Sequence, residues 1–394
     1  MTGDHGALHR LGEIAADRPA AIGAARSRTG GPGPWPGPGP VVGVVGADVP
    51  RELVTALGGV AVRLHGRPEV DRTRGDEILG AGVDPWARAL LTDLLAGRWH
   101  GLDALVVGRD CEASSRLFLA LRELRRSGDG DALPPLLLCD VLHLPHRSTT
   151  RYVARRLGEL AGRLPSHAGA RPDGSPVDAA RLEAAIAAHD AVRTALRRLV
   201  ARHRRAAVRL RGTEALAVHA AVQALPPDDA ARLVAEAGAE CTARDPLTAR
   251  RIHLTGSGHD EPGVYAAIEA AGAVVVGEDH DWGDLQAERL VGPGGVLALA
   301  ECYQGRGPTA QRASAAARAG HLRTALERTC PDAVVAYLRR HDDAPAWDLP
   351  AQREVCAAAG VPMIVLPHQA YGQVDGPALL AALDAVPIRR RVPA

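Results

Sequence analysis

Residues 251–279 read RIHLTGSGHDEPGVYAAIEAAGAVVVGED, and residues 40–66 read PVVGVVGADVPRELVTALGGVAVRLHG. Both pass through one order of elements: an apolar run, a polar loop, a helix-forming stretch ending in Gly, and a second apolar run. The echo continues downstream. Residues 332–368, DAVVAYLRRHDDAPAWDLPAQREVCAAAGVPMIVLPH, repeat the pattern of residues 103–140, DALVVGRDCEASSRLFLALRELRRSGDGDALPPLLLCD. Short apolar runs separated by helical stretches describe strands buried on both faces, which is the signature of a parallel sheet covered by helices. The expected fold class is therefore α/β, with two Rossmann-like domains, each a roughly four-stranded parallel sheet flanked by helices.

Between the two halves lies a helical segment whose longest member, residues 175–206, spaces its apolar positions at the helical period. At the front, residues 28–40 (RTGGPGPWPGPGP) suit neither helix nor strand. The expected organisation is a flexible extension and Pro/Gly linker over 1–40, a first α/β domain over 41–148, a mainly helical segment over 149–245 and a second α/β domain over 246–394.

Composition removes several function classes. The chain has 394 residues, 46% of them hydrophobic and 3% aromatic, with a formal net charge of +1. That balance argues against a surface devoted to nucleic acid or anionic lipid. Every basic residue among the 47 Lys+Arg is Arg, and Asn is also missing, which reads as coding bias. The Arg-rich residues 196–212 are thereby explained as the solvated face of a long helix. Six scattered cysteines form no Cys-x-x-Cys pair, so neither a zinc ribbon nor a disulfide framework is expected. No apolar run has the length of a membrane span, and the N-terminus has no signal-peptide core, so a cytoplasmic protein is expected. Glycine motifs for dinucleotides or nucleotide phosphates are missing, as is a serine-hydrolase elbow.

In a parallel α/β sheet the C-terminal strand ends share one edge, where ligands bind. Three polar loops fall there: Cys111 after the third strand, the GEDHDWGDL loop (277–285) after the sixth, and Arg339 to Asp343 after the seventh. Cys111 precedes a helix expected to be capped by Ser, whose amides favour thiolate, although single cysteines are mostly packing residues. The 277–285 loop holds four carboxylates, Glu278, Asp279, Asp281 and Asp284, beside His280. Their mutual repulsion calls for a cation or for arginine partners. His341, ahead of Asp342 and Asp343, offers an imidazole, or is simply solvated.

With these loops placed, the chain resembles the 2-hydroxyacyl-CoA dehydratase family, which includes benzoyl-CoA reductase subunits. The likeness rests on the order and spacing of ADVPRELVTALGGVAVRL, LDALVVGRDCEASSRLFLAL, GVYAAIEAAGAVVVGEDHDWG, DAVVAYLRRHDDAPAWDLPAQREVCAAAGVPMIVL and YGQVDGPALLAAL, and covers most of the chain from Val41 to Val386. The resemblance implies dehydration or reduction of an acyl-CoA or related thioester between the domains. It also implies a homologous second subunit, an ATP-dependent activator, and a 4Fe-4S cluster held by three cysteines. Cys111 matches the first of those ligands. The second position falls at or beside Asp281, with His280 adjacent, and the third at or beside His341. Such a set of Cys111, Asp281 and His341 is also suited to a single Zn or Fe ion. The chain is then expected to be a dehydratase-like enzyme subunit, a mononuclear metal enzyme of altered chemistry, or a non-catalytic partner of a cysteine-complete relative.

Overall fold

The computed structural model describes residues 6–27, 39–167 and 175–388. Two N-terminal helices, α1 (Ala7–Ala16) and α2 (Arg18–Arg26), precede the first sheet. That sheet comprises β1 (Val41–Val45), β2 (Val60–Arg63), β3 (Ala104–Gly108) and β4 (Leu136–Cys139), in the order β2-β1-β3-β4. α3 (Arg51–Ala56) crosses from β1 to β2, α4 (Thr73–Leu79) and α5 (Pro85–Leu95) lie between β2 and β3, and α6 (Glu112–Ser127) leads to β4. The helical middle follows as α7 (Arg147–Arg163), α8 (Ala179–Val200), α9 (Gly212–Ala221) and α10 (Pro227–Thr242).

The second sheet comprises β5 (Arg250–Gly256), β6 (Ala273–Glu278), β7 (Ala333–Arg339) and β8 (Met363–Gln369), in the order β6-β5-β7-β8. α11 (Gly263–Ala270) joins β5 to β6. α12 (Gly295–Gln304) and α13 (Ala315–Thr329) separate β6 from β7, α14 (Leu349–Ala358) leads to β8, and α15 (Gly376–Asp384) closes the described chain. Every strand pairing in both sheets is parallel. The two sheets thus repeat one topology, which is the physical content of the sequence echo. β1, β3, β6 and β7 are buried at every position, as their apolar runs require.

Two features depart from the expected organisation. Residues 7–26 are not a loose extension: α1 buries Leu8 and Leu11 against α9 and α10, and Arg18 is only 2% exposed. Ala7, Leu8 and Leu11 form one helical stripe that finds a partner face on the middle segment. The Pro/Gly linker over 28–38 lies outside the described residues. In addition, α12 belongs to the first core although it follows β6 in sequence. Leu299, Ala300, Cys302 and Tyr303 pack with Val42, Leu53 and Leu157 beside α7 and α8. The chain crosses back, and the first hydrophobic core is closed by a helix from beyond residue 246.

Locally, α6 is capped by Cys111 itself rather than by a serine. Its Sγ accepts from the Ser114 backbone N–H at 3.3 Å, while Ser114 Oγ lies 3.2 Å from the Cys111 backbone N, a reciprocal capping box. α8 ends in a π-helical turn, Ala201–Ala206, a form found in short stretches and often near functional sites.

Candidate functional site

Each sheet changes strand direction of growth between its first and third strands, and the crevice at such a point is where ligands settle in this architecture. The two switch points face a common small cavity of about 70 Å³. Gly46 after β1, Asp110 and Cys111 after β3, Gly258 and Asp260 after β5, and Arg339 at the end of β7 all line it. Arg63 from β2, Asp281 and Trp282 after β6, and Arg312 ahead of α13 complete the wall. Gly46 is needed at its position: φ is +88°, and a Cβ there would lie 2.5 Å from Asp110 Oδ2.

The electrostatics are dominated by guanidiniums paired with carboxylates. Arg63 donates to the Asp281 carboxylate and, at 2.9 Å, to its carbonyl oxygen. Its guanidinium also stacks 3.8 Å from the centroid of Trp282. Arg18 also lies 4.6 Å from the centroid of that ring and donates to the Asp260 carbonyl oxygen at 3.1 Å. Arg339 makes a two-pronged contact with Asp84, at 2.8 and 2.7 Å, joining β7 to the start of α5 across the two halves. Arg312 donates at 2.6 Å to Asp48, whose other oxygen lies 2.7 Å from His143 Nε2.

Two wall groups remain unsatisfied. Arg63 Nε and Asp260 Oδ1 are buried without hydrogen-bond partners, although Asp260 Oδ2 accepts from Gly66 N–H and the Tyr371 hydroxyl. An unpaired buried donor and an unpaired buried acceptor thus belong to residues of one cavity wall, and each is a group that a bound polar ligand would satisfy.

Titration at the site follows from burial. Desolvation, with Asp48 and Asp281 adding repulsion, pushes the Asp110 carboxyl up to about 6. Burial and then the Asp110 carboxylate raise the Cys111 thiol far above its ordinary range, although the Ser114 hydrogen bonds pull the other way. The helix amide expected to favour thiolate is therefore present and outweighed. Asp281 is also penalised by burial, yet Arg63 and then Arg312 hold its carboxyl below the usual value.

Of the residues singled out from sequence, Cys111 and Asp281 line the same small cavity. His341 does not reach it. It sits exposed in a left-handed conformation (φ 68°) on the rim of an adjoining groove of about 600 Å³, which shares Trp86, Cys111 and Gln311 with the small cavity. His280 turns away into the second core, with Nε2 2.7 Å from the Tyr265 hydroxyl and Nδ1 accepting from Trp282 N–H at 3.2 Å. The four carboxylates of the 277–285 loop each find arginine: Glu278 with Arg204, Asp279 with Arg318, Asp281 with Arg63, and Asp284 with Arg204 and Arg205. Sequence reading missed Arg63, Arg312 and Asp260, and took Arg339 only as the first residue of a polar loop, because a charged side chain carries no local mark of its partner.

The donor set does not match the 4Fe-4S cluster that the resemblance implies, which draws on thiolates. Of the six cysteines only Cys111 lines either cavity. Cys139 lies in β4 with Sγ 3.4 Å from the Asp48 carbonyl oxygen, and Cys241, Cys302 and Cys356 are buried on helices elsewhere. A single ion held by Cys111, Asp281 and His341 fares no better, since Asp281 is committed to Arg63. Among the described residues the one group of three donors within 4.8 Å of one another is His219, Glu278 and Asp284, away from this cavity.

Comparison with known proteins adds one finding. The family model described as 2-hydroxyglutaryl-CoA dehydratase, D-component, matches residues 47–372. Comparison with curated proteins gives no match. No helix among the described residues is long and apolar enough to cross a membrane.

Proposed function

The chain belongs to the 2-hydroxyglutaryl-CoA dehydratase D-component family, and from that premise we propose that it binds the head of a 2-hydroxyacyl thioester while a partner subunit carries the metal cluster. The observation that carries this reading is the Arg63–Asp281 pair. At the loop where the resemblance puts a second cluster ligand, a carboxylate is locked to a guanidinium, and Cys111 is left as the lone thiol.

The open groups fit such a head. A thioester carbonyl accepts from Arg63 Nε, and a 2-hydroxyl donates to Asp260 Oδ1. The larger groove beyond Trp86 and Cys111 gives room for the thioester arm. Asp110, titrating near 6, is the lining carboxyl suited to exchange a proton close to neutral pH, whereas Asp281 stays ionised. The partner subunit and the activator remain part of the proposal through family membership.

Calorimetric titration of the full chain with 2-hydroxyglutaryl-CoA tests the binding role. Asp260→Ala should weaken it by about tenfold or more, since a site built to pair a hydroxyl discriminates strongly. Anaerobic incubation with ferrous iron and sulfide should leave the chain colourless. Binding unaffected by Asp260→Ala would remove the head-binding assignment, and a brown chain retaining iron and sulfide would overturn the division of labour between subunits.

A further inference from the structure

A second cavity, of about 300 Å³, lies between the β5–β6 face, the end of α8 with its π-helical turn, and α13. It shares no lining residue with the first cavity. Its floor is formed by two buried histidines, His253 and His219, each 1% exposed. Neither ring nitrogen of His253 has a hydrogen-bond partner. His219 Nε2 lies 3.4 Å from Asp284 Oδ1, and its Nδ1 has no partner. Burial lowers the His253 pKa to about 4, so that imidazole is neutral at physiological pH.

The backbone is adapted to this arrangement. The β5–β6 register slips between Ile252 and His253, setting His253 opposite Gly277, whose missing side chain leaves the ring free: a Cβ there would lie 3.2 Å from His253 Nδ1.

The three-donor group here, His219, Glu278 and Asp284, is already charge-compensated. Arg204, fully buried, donates to both oxygens of Glu278 and at 2.9 Å to Asp284, and Arg205 takes the other Asp284 oxygen at 3.0 Å. A cation would have to displace those bonds, which disfavours a metal ion. The open valences are of another kind. A neutral imidazole has one N–H donor and one lone-pair acceptor, so His253 asks for both an acceptor and a donor, and His219 Nδ1 asks for a donor. Arg197 and Arg328 stand exposed at the mouth, and Leu196, Val200 and Leu285 make apolar wall.

We propose that this cavity binds a small hydroxy acid, its hydroxyl on the floor histidines, its carbon body against Leu196, Val200 and Leu285, and its carboxylate toward the arginines of the mouth. The site goes beyond the thioester-binding role and does not depend on it.

The test is calorimetry on the purified full chain with free lactate and with propionate, which lacks the hydroxyl, alongside histidine-detected NMR. Lactate should bind about tenfold or more tightly than propionate and shift the His253 ring signals. His253→Leu should abolish that preference, while Cys111→Ala and Asp260→Ala leave it intact, which separates this cavity from the thioester site. Arg328→Gln provides a second variant should His253→Leu not fold, and it should weaken binding of both acids by removing a mouth cation while leaving the preference for lactate. Equal affinity for the two acids, no binding of either at millimolar concentration, or His253-dependent binding of Zn²⁺ or inorganic phosphate alone would each overturn the proposal.

Discussion

Cys111 is pulled in two directions at once. As the cap of α6 it accepts the Ser114 N–H, which favours negative charge on sulfur, but its burial and the adjacent Asp110 carboxylate oppose that charge more strongly. The expected outcome is slow alkylation by iodoacetamide at mildly alkaline pH, with Asp110→Asn accelerating it several-fold. Equal rates in the two proteins, followed by mass spectrometry, would show that the carboxylate does not act on the thiol. The same variant reports on linkage. Asp110 moves from an ordinary value of 3.8 up to about 6 on folding, so between those values the native state keeps a proton that the unfolded state has released. Its contribution is fully present below pH 3.8 and is lost as pH rises through about 6. Unfolding free energy of the native sequence should therefore slope downward across that window, and Asp110→Asn should lose that part of the slope. Parallel urea-melt profiles for the two proteins would contradict the shift. In sequence, Cys111 was visible as a candidate because its strand–loop–helix context is local. The sign of its titration was not, because burial is not a local property.

At the scale of elements, the β5–β6 pair shows how a single glycine serves a register slip. A Cβ at position 277 would lie 2.8 Å from Thr329 Cγ2 as well as 3.2 Å from His253 Nδ1. Gly277→Ala should cost about 1–3 kcal/mol, the range for overpacking a filled core. Combining it with Thr329→Ser removes the obstructing methyl and keeps the hydroxyl that bonds the Ala325 carbonyl oxygen, so the double variant should recover part of the loss. A fully additive double variant, measured by chemical denaturation, would mean that the clash lies elsewhere. The sequence showed β6 plainly as an apolar run before an acidic loop. The slip against β5 was hidden, since both strands read as continuous runs and register is set by the neighbour.

Across the whole molecule, the two halves are locked by ion pairs that bridge their sheet edges. Arg339 and Asp84, separated by 255 positions, are 5% and 8% exposed at the side chain. Removing the cation alone strands a buried carboxylate, so Arg339→Met should cost about 3–5 kcal/mol in urea unfolding. Pairing it with Asp84→Asn should restore a large share of that loss. A cost below about 1 kcal/mol, the level of a surface pair, would remove this contact from the forces joining the halves. Arg18 adds a further tie, reaching from α2 to the carbonyl oxygens of Arg63 at 3.5 Å and Asp260 at 3.1 Å. The N-terminal helices thereby stiffen the back of the cavity, a role that no pattern in residues 1–40 announces.

The sequence by itself determined the eight parallel strands, their grouping into two like halves and the edge at which the polar loops gather, because apolar periodicity and breaker residues act over a few neighbours. Only the tertiary structure decided what the loop acids do. Asp281 finds Arg63 from 218 positions away, and Glu278 finds Arg204 from 74. A charge's partner is chosen by proximity in space, and with it go the affinity for a metal, the direction of a pKa and the shape of the pocket.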